Sequence, residues 1–557
     1  MPSKPGKRPA AAVAATPGGW RLPVAALAAL VVLFEVYSPA LNGPFLLDDG
    51  FQLFGRPDAG NYPLKLWLNN VRPLLNLSYW LNFQLSGQET ASYHAVNVVL
   101  HWINGLLVFV ILRRVAGVEN PLAGTGSLLF LLHPVQTESV AYISSRSELL
   151  SVLFAYAALA VFVTRPAGGV TWARAAAATG LFGCAVASKE HTAVLPGVLL
   201  LIDLLSEKPL ETARSNWRLY APMGVAAALG FAFVFRTIAS TKTVGFRMTD
   251  LAWYEYAFTQ CRMVWRYVRM LVLPVGLNAD PDIAISRSLT EPGVVLGLAA
   301  VLAAAAAAVA LRKRYPLAAL GWLIFLVFLA PTTSVVPIRD VFAERRLYLP
   351  FLGFLLIVLE GLRRLSLRMA MAGAGVVLAA CCAATYSRAQ VWSSHLALWQ
   401  DTVEKSPRKV RPRFQLAFAL YQAQRCEEAN REYEKAAGFA PPDSLLLTDW
   451  ALALDCVGKV EEAAARLTEA AKLENSAVIH STLGMIYGKA GRHDEALAAL
   501  GRALEIDRGF VMAYVYRGNV LFAKGEREAA AEAFREALKR DPGNEGALHG
   551  LRLAAGQ

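Results

Sequence analysis

The chain has 557 residues, of which 55% are hydrophobic and only 18% are charged, and its formal net charge is +12. Soluble proteins have about 25% charged residues. The shortage of charged residues is confined to roughly the first 390 residues, which contain apolar runs long enough to cross a bilayer. This composition excludes a soluble enzyme, a disordered chain and a fibrous protein. It predicts a multi-pass membrane protein of the all-α class.

The basic residues are concentrated in short clusters between the apolar runs, as at Arg113-Arg114, Arg312-Lys313-Arg314 and Arg363-Arg364. Cytoplasmic loops of membrane proteins carry such clusters. A nucleic-acid interface would instead combine basic and aromatic residues on one folded surface. We therefore expect no nucleic-acid partner, and we place these clusters in the cytoplasm.

The clusters define a predicted topology. Residues 1–19 form a basic, Pro- and Gly-rich N-terminus that we place in the cytoplasm. Residues 20–390 are predicted to form the membrane domain, which begins with an uncleaved first span. Residues 41–92 are predicted to form an outer loop. With the re-entrant segment described next, the pattern predicts about eleven spans and a C-terminal region outside the cytosol.

The segment 237–292 is predicted to be an outer re-entrant or interfacial segment. Its apolar stretch carries Arg262, Arg266 and Arg269 on one helical face. Three arginines in a lipid-exposed span would be costly. A span here would also move the later basic clusters to the outer side, against the charge rule.

From about residue 410 the composition becomes rich in Ala, Glu, Lys, Arg and Leu, and a repeat appears. Ala429, Ala463, Ala496 and Ala530 occupy equivalent positions at intervals of 33 to 34 residues, the period of a tetratricopeptide helix pair. The predicted segments are a linker and capping helix over 391–409, a repeat domain over 410–557, and repeats at about 410–443, 444–476, 477–510 and 511–544.

The six cysteines contain no CxxC motif and show no metal-ligand spacing. Cys426 and Cys456 both fall within the repeats. A disulfide between them requires the repeats to lie outside the cytosol, and the sequence leaves the pairing open. We predict no metal site.

The predicted first outer loop contains an acidic pair, Asp48-Asp49. Carboxylates near a membrane interface experience a lowered dielectric constant, which raises their pKa and suits one of them to act as a general base. Two aspartates that simply solvate a loop are the competing interpretation.

Further polar groups follow on the predicted outer side. His94, Asn97 and His101 lie on one helical face, and buried polar groups in membranes mark either a site or a helix contact. For His101 a structural hydrogen-bonded contact is at least as good an explanation. Other charged or polar groups at the outer ends of spans are His133, Glu138, Lys189, Glu190, Arg345, Arg346 and Tyr348. Together with the arginines of 237–292 they predict a cationic pocket for a phosphate, or else local ion pairs and headgroup contacts.

These motifs, in this order, resemble the transmembrane and tetratricopeptide repeat-containing family. The matching strings are Asp48-Asp49, Arg72-Pro73-Leu74, Tyr93-His94 through Asn97 to His101, His133-Pro134 through Thr137-Glu138, Lys189-Glu190, and Glu344-Arg345 with Leu347-Tyr348-Leu349-Pro350. The resemblance covers nearly the whole chain, including the repeats after the last span.

The resemblance implies a GT-C fold glycosyltransferase that uses a polyprenyl-phosphate-linked sugar. In eukaryotic members of the family the donor is dolichyl-phosphate mannose and the product is an O-mannosylated protein. The family's acidic pair corresponds to Asp48 and Asp49. The composition favours a bacterial member, located in the inner membrane with its repeats in the periplasm. The small number of repeats and the doubled Arg345-Arg346 depart from the family pattern.

We therefore hypothesise inverting sugar transfer at the outer face, with Asp48 or Asp49 as the base and with no obligatory metal cofactor. The candidate phosphate-binding residues are Arg72, Lys189, Arg262, Arg266, Arg345 and Arg346, and the candidate lining residues are His94, Asn97, His133, Glu138, Glu190 and Tyr348. The expected partners are membrane lipid, the polyprenyl-phosphate sugar and a protein acceptor bound along the repeats.

Three alternatives remain open at this stage. In the first, the protein is a glycosyltransferase whose acceptor is a lipid or a glycan instead of a protein. The protein is a polymerase or ligase of surface polysaccharide, in which case the acidic pair is dispensable. Or the protein is a non-catalytic scaffold whose repeats recruit envelope proteins.

Overall fold

The structure is a computed structural model that describes residues 21–69, 71–166, 168–238 and 251–556. The predicted cytoplasmic N-terminus, 1–19, lies outside the described residues, as do residues 239–250 of the predicted re-entrant segment. The regular elements in the described ranges are helices, which confirms the all-α class. The chain divides into unit 1, Met1–Ala279 with Ile283–Ser394, and unit 2, Asp280–Asp282 with His395–Gln557.

Unit 1 is built from helices of very different lengths. In chain order they are α1 (Arg21–Leu41), α2 (Leu64–Leu68), α3 (Pro73–Ser86), α4 (Thr90–Val115), α5 (Asn120–Leu132), α6 (Thr137–Ala141), α7 (Arg146–Val163), α8 (Trp172–Ser188), α9 (Leu195–Leu204), α10 (Pro209–Ser215), α11 (Trp217–Ile238), α12 (Trp253–Val272), α13 (Pro292–Leu311), α14 (Pro316–Leu329), α15 (Phe351–Leu362) and α16 (Leu367–Val391). Short 3-10 turns lie between them, notably at Leu47–Phe51, Glu190–Val194 and Glu344–Leu347.

Several helices of unit 1 have the length and the apolar composition of membrane-spanning helices. Among the described residues, five are long and apolar enough to cross one: Arg21–Leu41, Thr90–Val115, Ile143–Val163, Pro292–Leu311 and Leu367–Val391. Shorter apolar helices occupy Asn120–Leu132, Pro316–Thr332 and Phe351–Leu362. Helix α12, which carries the three arginines, is not among the five. The predicted count of about eleven spans is therefore not confirmed, because many of the apolar runs fold into helices shorter than a full crossing.

Close helix packing holds unit 1 together. Helix α7 packs between α4 and α8, and α14 packs along α15. The second pair crosses at Gly321 and Gly353, where a β-carbon on either glycine would collide with the carbonyl oxygen of the other. Small residues allow such close approach between helices in a membrane.

The predicted outer loop, 41–92, is largely helical. The acidic pair lies on the 3-10 turn Leu47–Phe51, and α2 and α3 follow it. Phe54, Trp67 and Tyr79 are buried in one cluster with Tyr93 of α4, and α3 also packs against α8. These aromatic contacts anchor the loop to the helices, so the aspartates have fixed positions.

Unit 2 is a stack of antiparallel helix pairs. Its helices are α17 (His395–Lys405), α18 (Val410–Gln422), α19 (Cys426–Phe439), α20 (Ser444–Cys456), α21 (Val460–Leu473), α22 (Ala477–Lys489), α23 (His493–Ile506), α24 (Val511–Ala523), α25 (Arg527–Arg540) and α26 (Glu545–Ala554). The four periodic alanines, Ala429, Ala463, Ala496 and Ala530, are fully buried. Small side chains at these positions let each second helix pack closely on the first.

A disulfide joins Cys426 to Cys456 within unit 2, with a Cα–Cα distance of 6.1 Å. It connects the start of α19 to the end of α20, across a sequence separation of 30 residues. The pairing that the sequence left open is thus present in the structure.

Removing this disulfide should destabilise unit 2. Replacing both cysteines with serine (Cys426→Ser with Cys456→Ser) releases a closed loop of the unfolded chain, which costs about 3 to 4 kcal/mol in the chain-entropy model. Pulse proteolysis of the full-length protein in urea measures the change, read from cleavage within unit 2. Reductant should lower the midpoint of the parent protein and leave the variant unaffected. An unchanged midpoint in the variant would contradict this expectation.

Candidate active site

The two adjacent aspartates have different environments. Asp49 is buried, whereas Asp48 is exposed. Asp49 Oδ1 accepts hydrogen bonds from the Ser144 backbone N–H, at 2.8 Å, and from the Ser144 hydroxyl. Its Oδ2 accepts from the Leu46 backbone N–H at 3.0 Å. Asp49 therefore ties the acidic turn to the start of α7, and this leaves the Asp48 side chain at the surface.

Burial raises the pKa of the Asp49 carboxyl to about 7, and the neighbouring charge of Asp48 adds a smaller increase. The hydrogen bonds from Ser144 and Leu46 act in the opposite direction because they stabilise the charged form. Asp49 thus titrates near neutral pH.

Tyr142 connects the acidic pair to the positively charged part of the site. Its hydroxyl oxygen accepts a hydrogen bond from the Asp48 backbone N–H at 3.1 Å. The guanidinium of Arg345 lies 6.0 Å from the centre of the Tyr142 ring. Burial, followed by the charges of Asp49 and Asp48, raises the pKa of Tyr142 well above its ordinary value. The phenol therefore stays neutral between the two aspartates and Arg345.

Three cations, which we call the cationic cluster, lie beyond Tyr142, and each pairs with a glutamate. Arg72, Lys189 and Arg345 pair with Glu190, Glu148 and Glu138, respectively. The Arg72 pair is bidentate, with Nη2–Oε1 at 2.6 Å and Nε–Oε2 at 3.0 Å. The side chain of Arg72 is the most accessible of the three, at 34% exposed, against 24% for Arg345 and 15% for Lys189.

The charges of the cationic cluster act on one another. Burial lowers the pKa of Lys189, Glu148 opposes this shift, and both Arg72 and Arg345 lower the pKa further. For Glu190, burial would raise the pKa, but Arg72 outweighs burial and holds it at about 2. The three cations thus lie close enough together to act on one another, each beside a carboxylate.

The structure places the other three predicted phosphate ligands in different surroundings. Arg346 donates to the backbone carbonyls of Thr332, Asp340 and Val341. Arg262 donates to the Ser286 hydroxyl at 2.9 Å, and the Arg266 guanidinium lies 5.0 Å from the centre of the Phe342 ring. The contacts of Arg346 and Arg262 hold loops in place. The phosphate role of all three stays a prediction.

The predicted polar lining residues mostly form a hydrogen-bonded seam. His94 contacts the carbonyl oxygen of Gly43, and Asn97 donates to the carbonyls of Val140 and Tyr142 and accepts from Arg146. The Tyr348 hydroxyl contacts His101, whose other ring nitrogen contacts the Leu131 carbonyl. His133 contacts the Leu271 carbonyl through Nε2, at 3.1 Å, and accepts from the Val135 N–H through Nδ1. For His101 this supports the structural explanation. Glu138 and Glu190 instead form ion pairs with two members of the cationic cluster, Arg345 and Arg72.

The structure adds residues that the sequence did not identify as site candidates. Tyr142, Ser144 and Glu148 contact the aspartates or the cations, and His191 Nε2 lies 3.2 Å from Glu148 Oε2. A signal was present, because Ser144 to Glu148 is a polar run at the start of an otherwise apolar helix. Arg146 in the same run is fully buried.

The repeat region is similar to known tetratricopeptide repeat proteins. A family model described as a tetratricopeptide repeat matches residues 481–545. Among solved structures, YrrB, titled a TPR protein with an unusual peptide-binding site, is 24% identical and covers 28% of this chain and 80% of its own, with a TM-score of 0.25. TTC0263, a thermophilic TPR protein in Thermus thermophilus, is 18% identical over 33% of this chain and 96% of its own, with a TM-score of 0.27.

Curated relatives match most of the chain. Protein O-mannosyl-transferase F38B6.6 of Caenorhabditis elegans is 24% identical over 73% of this chain and 61% of its own length. Protein O-mannosyl-transferase TMTC1 of Homo sapiens is 24% identical over 73% and 54%, and TMTC3 of Mus musculus is 22% identical over 87% and 58%. The chain thus spans somewhat more than half the length of these relatives. Its curated homologues are TMTC-family protein O-mannosyl-transferases, which confirms the resemblance drawn from the sequence.

Proposed function

We propose that this protein is a membrane glycosyltransferase of the inverting GT-C type, which transfers a sugar from a polyprenyl-phosphate donor to a Ser or Thr hydroxyl of a protein. One observation carries the proposal. An acidic pair, one member exposed and the other buried with a raised pKa, is linked through Tyr142 to the cationic cluster. A base beside a phosphate-binding region is what transfer from a phosphate-linked sugar requires.

In this proposal Asp48 is the general base. Its carboxylate is exposed, so an acceptor hydroxyl from outside can reach it. It takes the proton of that hydroxyl as the oxygen attacks the anomeric carbon and the bond from that carbon to the phosphate oxygen breaks. Asp49 is the positioning residue, because its carboxylate is already engaged by Ser144 and Leu46. Attack opposite the leaving phosphate inverts the anomeric configuration.

The cationic cluster would hold the donor phosphate and stabilise the charge that it gains on leaving. Arg72 is the best placed of the three, because it is the most exposed and its planar fork suits phosphate oxygens. Its glutamate partner keeps the guanidinium oriented before the donor binds. Phosphate is a good leaving group, so the proposal requires no metal ion.

The protein would lie in a bacterial inner membrane. The candidate active site and unit 2 would both face the extracytoplasmic side of that membrane. The disulfide between Cys426 and Cys456 supports this side for unit 2, since disulfides persist in the periplasm and are rare in the cytosol. The proposal retains about eleven crossings, which requires the shorter apolar helices to cross as well.

Unit 2 would recruit the acceptor protein. Stacked repeats present extended surfaces for partners, and a cavity of about 590 Å³ lies between α21, α22 and α23. Its lining includes Lys472, His480, Tyr487 and Arg502. These side chains supply a ring face and hydrogen-bond donors suited to an extended peptide.

Replacing Arg72 with glutamine should weaken donor binding and also slow the chemical step, because the arginine would hold the phosphate and stabilise the charge that it gains on leaving. A lost charged hydrogen-bond pair corresponds to roughly a ten- to hundredfold change in affinity. The Michaelis constant for a polyprenyl-phosphate sugar measures it. Arg56→Gln, an exposed arginine of the same loop, is the matched control. Equal donor constants in the Arg72 variant and the parent would remove Arg72 from the phosphate site.

A further inference from the structure

Unit 1 has a cavity of about 640 Å³ at the ends of several of its helices. The end of α4, the end of α7, the end of α9, the short helix α10 and the start of α14 all contribute lining residues. Three of the lining side chains are cationic: Arg114, Arg165 and Lys208. The cavity shares no residue with the candidate active site.

A buried polar network holds Arg165 in position. Arg165 Nη2 donates to Asp203 Oδ1 at 2.5 Å, and Asp203 is fully buried. Asp203 Oδ2 also accepts from Asn216 Nδ2 and from the Tyr220 hydroxyl, both at 2.7 Å. The Arg165 guanidinium also lies 3.9 Å from the centre of the Phe162 ring. Only 18% of the Arg165 side chain is exposed, so it is fixed before any ligand arrives.

The loop between α7 and α8, which contributes Gly169 to the cavity lining, packs closely against the end of α10. Gly169 has a φ of +94°, which an L-residue rarely adopts, and a β-carbon there would lie 2.7 Å from the Ser215 carbonyl oxygen. The close approach of this loop to α10 therefore requires glycine. The side-chain oxygen of Asn216 accepts a hydrogen bond from the Val170 N–H at 3.0 Å and joins the same two segments.

The lining also includes the polar residues Glu211, Thr212 and Ser215 of α10 and a group of apolar side chains. Ile202, Leu205, Leu317 and Leu320 face the same cavity as the cations. A soluble anion would use only the cations and leave these side chains without a role. A ligand that combines a phosphate with an acyl chain would match both parts of the lining.

One of the three cations that line the cavity has no carboxylate partner in the described part of the chain. Arg165 is paired with buried Asp203, and Lys208 is paired with Glu211 at 3.0 Å on the exposed rim. Arg114, which is exposed, has no ion pair among the described residues. An incoming anion would therefore neutralise Arg114 and share the loosely paired Lys208, since exposed pairs contribute little on their own.

The cavity lies at the opposite end of α7 from the aspartates. Ser144, which binds Asp49, shortly precedes α7, whereas Val163 and Arg165 at the other end line the cavity. A helix of 18 residues is about 27 Å long, close to the thickness of a bilayer core. In the topology proposed above, the cavity therefore lies at the cytoplasmic face, where the positive-inside rule places Arg113-Arg114.

We propose that this cavity binds an anionic phospholipid of the cytoplasmic leaflet, with its phosphate between Arg114, Arg165 and Lys208 and an acyl chain along Leu317 and Leu320. Basic pockets between helices on the cytoplasmic side are suited to such headgroups. The site is independent of the proposed sugar transfer.

Native mass spectrometry of the delipidated full-length protein tests the proposal. Phosphatidylglycerol, phosphatidylcholine and inorganic phosphate are titrated separately against the parent and the double variant Arg114→Ala with Lys208→Ala. Phosphatidylglycerol should bind more tightly than phosphatidylcholine, and the double variant should bind it roughly thirtyfold more weakly. Arg214→Ala removes an exposed cation of α10 that does not line the cavity, and it should bind as the parent does.

Both variants replace exposed side chains, so the melting temperature should stay that of the parent. Equal binding of the two lipids, or unweakened phosphatidylglycerol binding in the double variant, would overturn the proposal. Inorganic phosphate that binds as tightly as phosphatidylglycerol would overturn the lipid assignment.

Discussion

Replacing Asp48 with asparagine should abolish most sugar transfer while the protein stays folded. Asparagine preserves the shape of the side chain and removes its ability to accept a proton. Loss of a general base lowers the rate by roughly a hundred- to ten-thousandfold. The measurement is the rate of sugar transfer from a polyprenyl-phosphate donor, together with the melting temperature of each purified variant.

Two companion variants make this result specific. Asp58→Asn changes an exposed aspartate of the same loop and should transfer sugar at the parent rate. Asp49→Asn should lower stability as well as activity, because its amide N–H₂ would face a backbone or hydroxyl donor in place of a carboxylate oxygen. Parent-like transfer by the Asp48 variant would show that Asp48 is not the base.

The Asp49 variant also has a pH signature. The folded protein binds a proton at Asp49 up to a pKa of about 7, whereas the unfolded chain releases it near the ordinary value of 3.8. The unfolded state therefore binds fewer protons between these two pH values, and the contribution of Asp49 to stability falls as pH rises through that window. Asp49→Asn should remove this slope, while Asp48→Asn should retain it.

Replacing Arg146 with methionine should prevent stable folding of unit 1. Arg146 is fully buried, and its donors bind the side-chain oxygens of Asn97 and Asn82 at 2.9 and 2.8 Å and the Tyr93 carbonyl at 3.0 Å. Its guanidinium also lies 4.8 Å from the centre of the Tyr79 ring. These contacts join α3, α4 and α7.

Methionine fills similar space but leaves the side-chain oxygens of Asn97 and Asn82 buried without this donor, and the Tyr93 carbonyl keeps only its hydrogen bond within α4. Each unsatisfied group costs about 1 to 3 kcal/mol, so the sum is comparable with the total stability of many domains. Size-exclusion yield and the melting temperature in detergent measure the effect. Arg113→Met, at the exposed end of α4, is the control and should behave as the parent does. A parent-like melting temperature for Arg146→Met would contradict this assignment.

The repeats and the polar groups at the ends of the apolar runs could be predicted from sequence because their signals are local. The period of Ala429, Ala463, Ala496 and Ala530 reflects contacts between neighbouring helices, which recur in every repeat. The acidic pair and Lys189-Glu190 are short motifs whose residue types already suggest charge chemistry. Their side of the membrane stays a prediction, drawn from the basic clusters between the apolar runs.

The different environments of Asp48 and Asp49, on which their different proposed roles depend, could not be predicted in this way. They depend on Ser144 and Tyr142, about 95 positions away in the sequence, which only the fold brings to the turn. The partners of Arg146 are similarly distant. The predicted span count is not confirmed for a related reason, because apolar runs such as 192–206 fold into helices shorter than a full crossing, and hydrophobicity alone does not report helix length.

The most direct test is a reconstituted transfer reaction. The purified full-length protein is placed in liposomes with a polyprenyl-phosphate mannose and acceptor proteins from the same cell envelope, and modified Ser and Thr residues are mapped by mass spectrometry. We predict hexose on Ser or Thr with the anomeric configuration opposite to that of the donor, and none with the double variant Asp48→Asn with Asp49→Asn. Equal modification by the parent and by that double variant would contradict a catalytic role for the acidic pair.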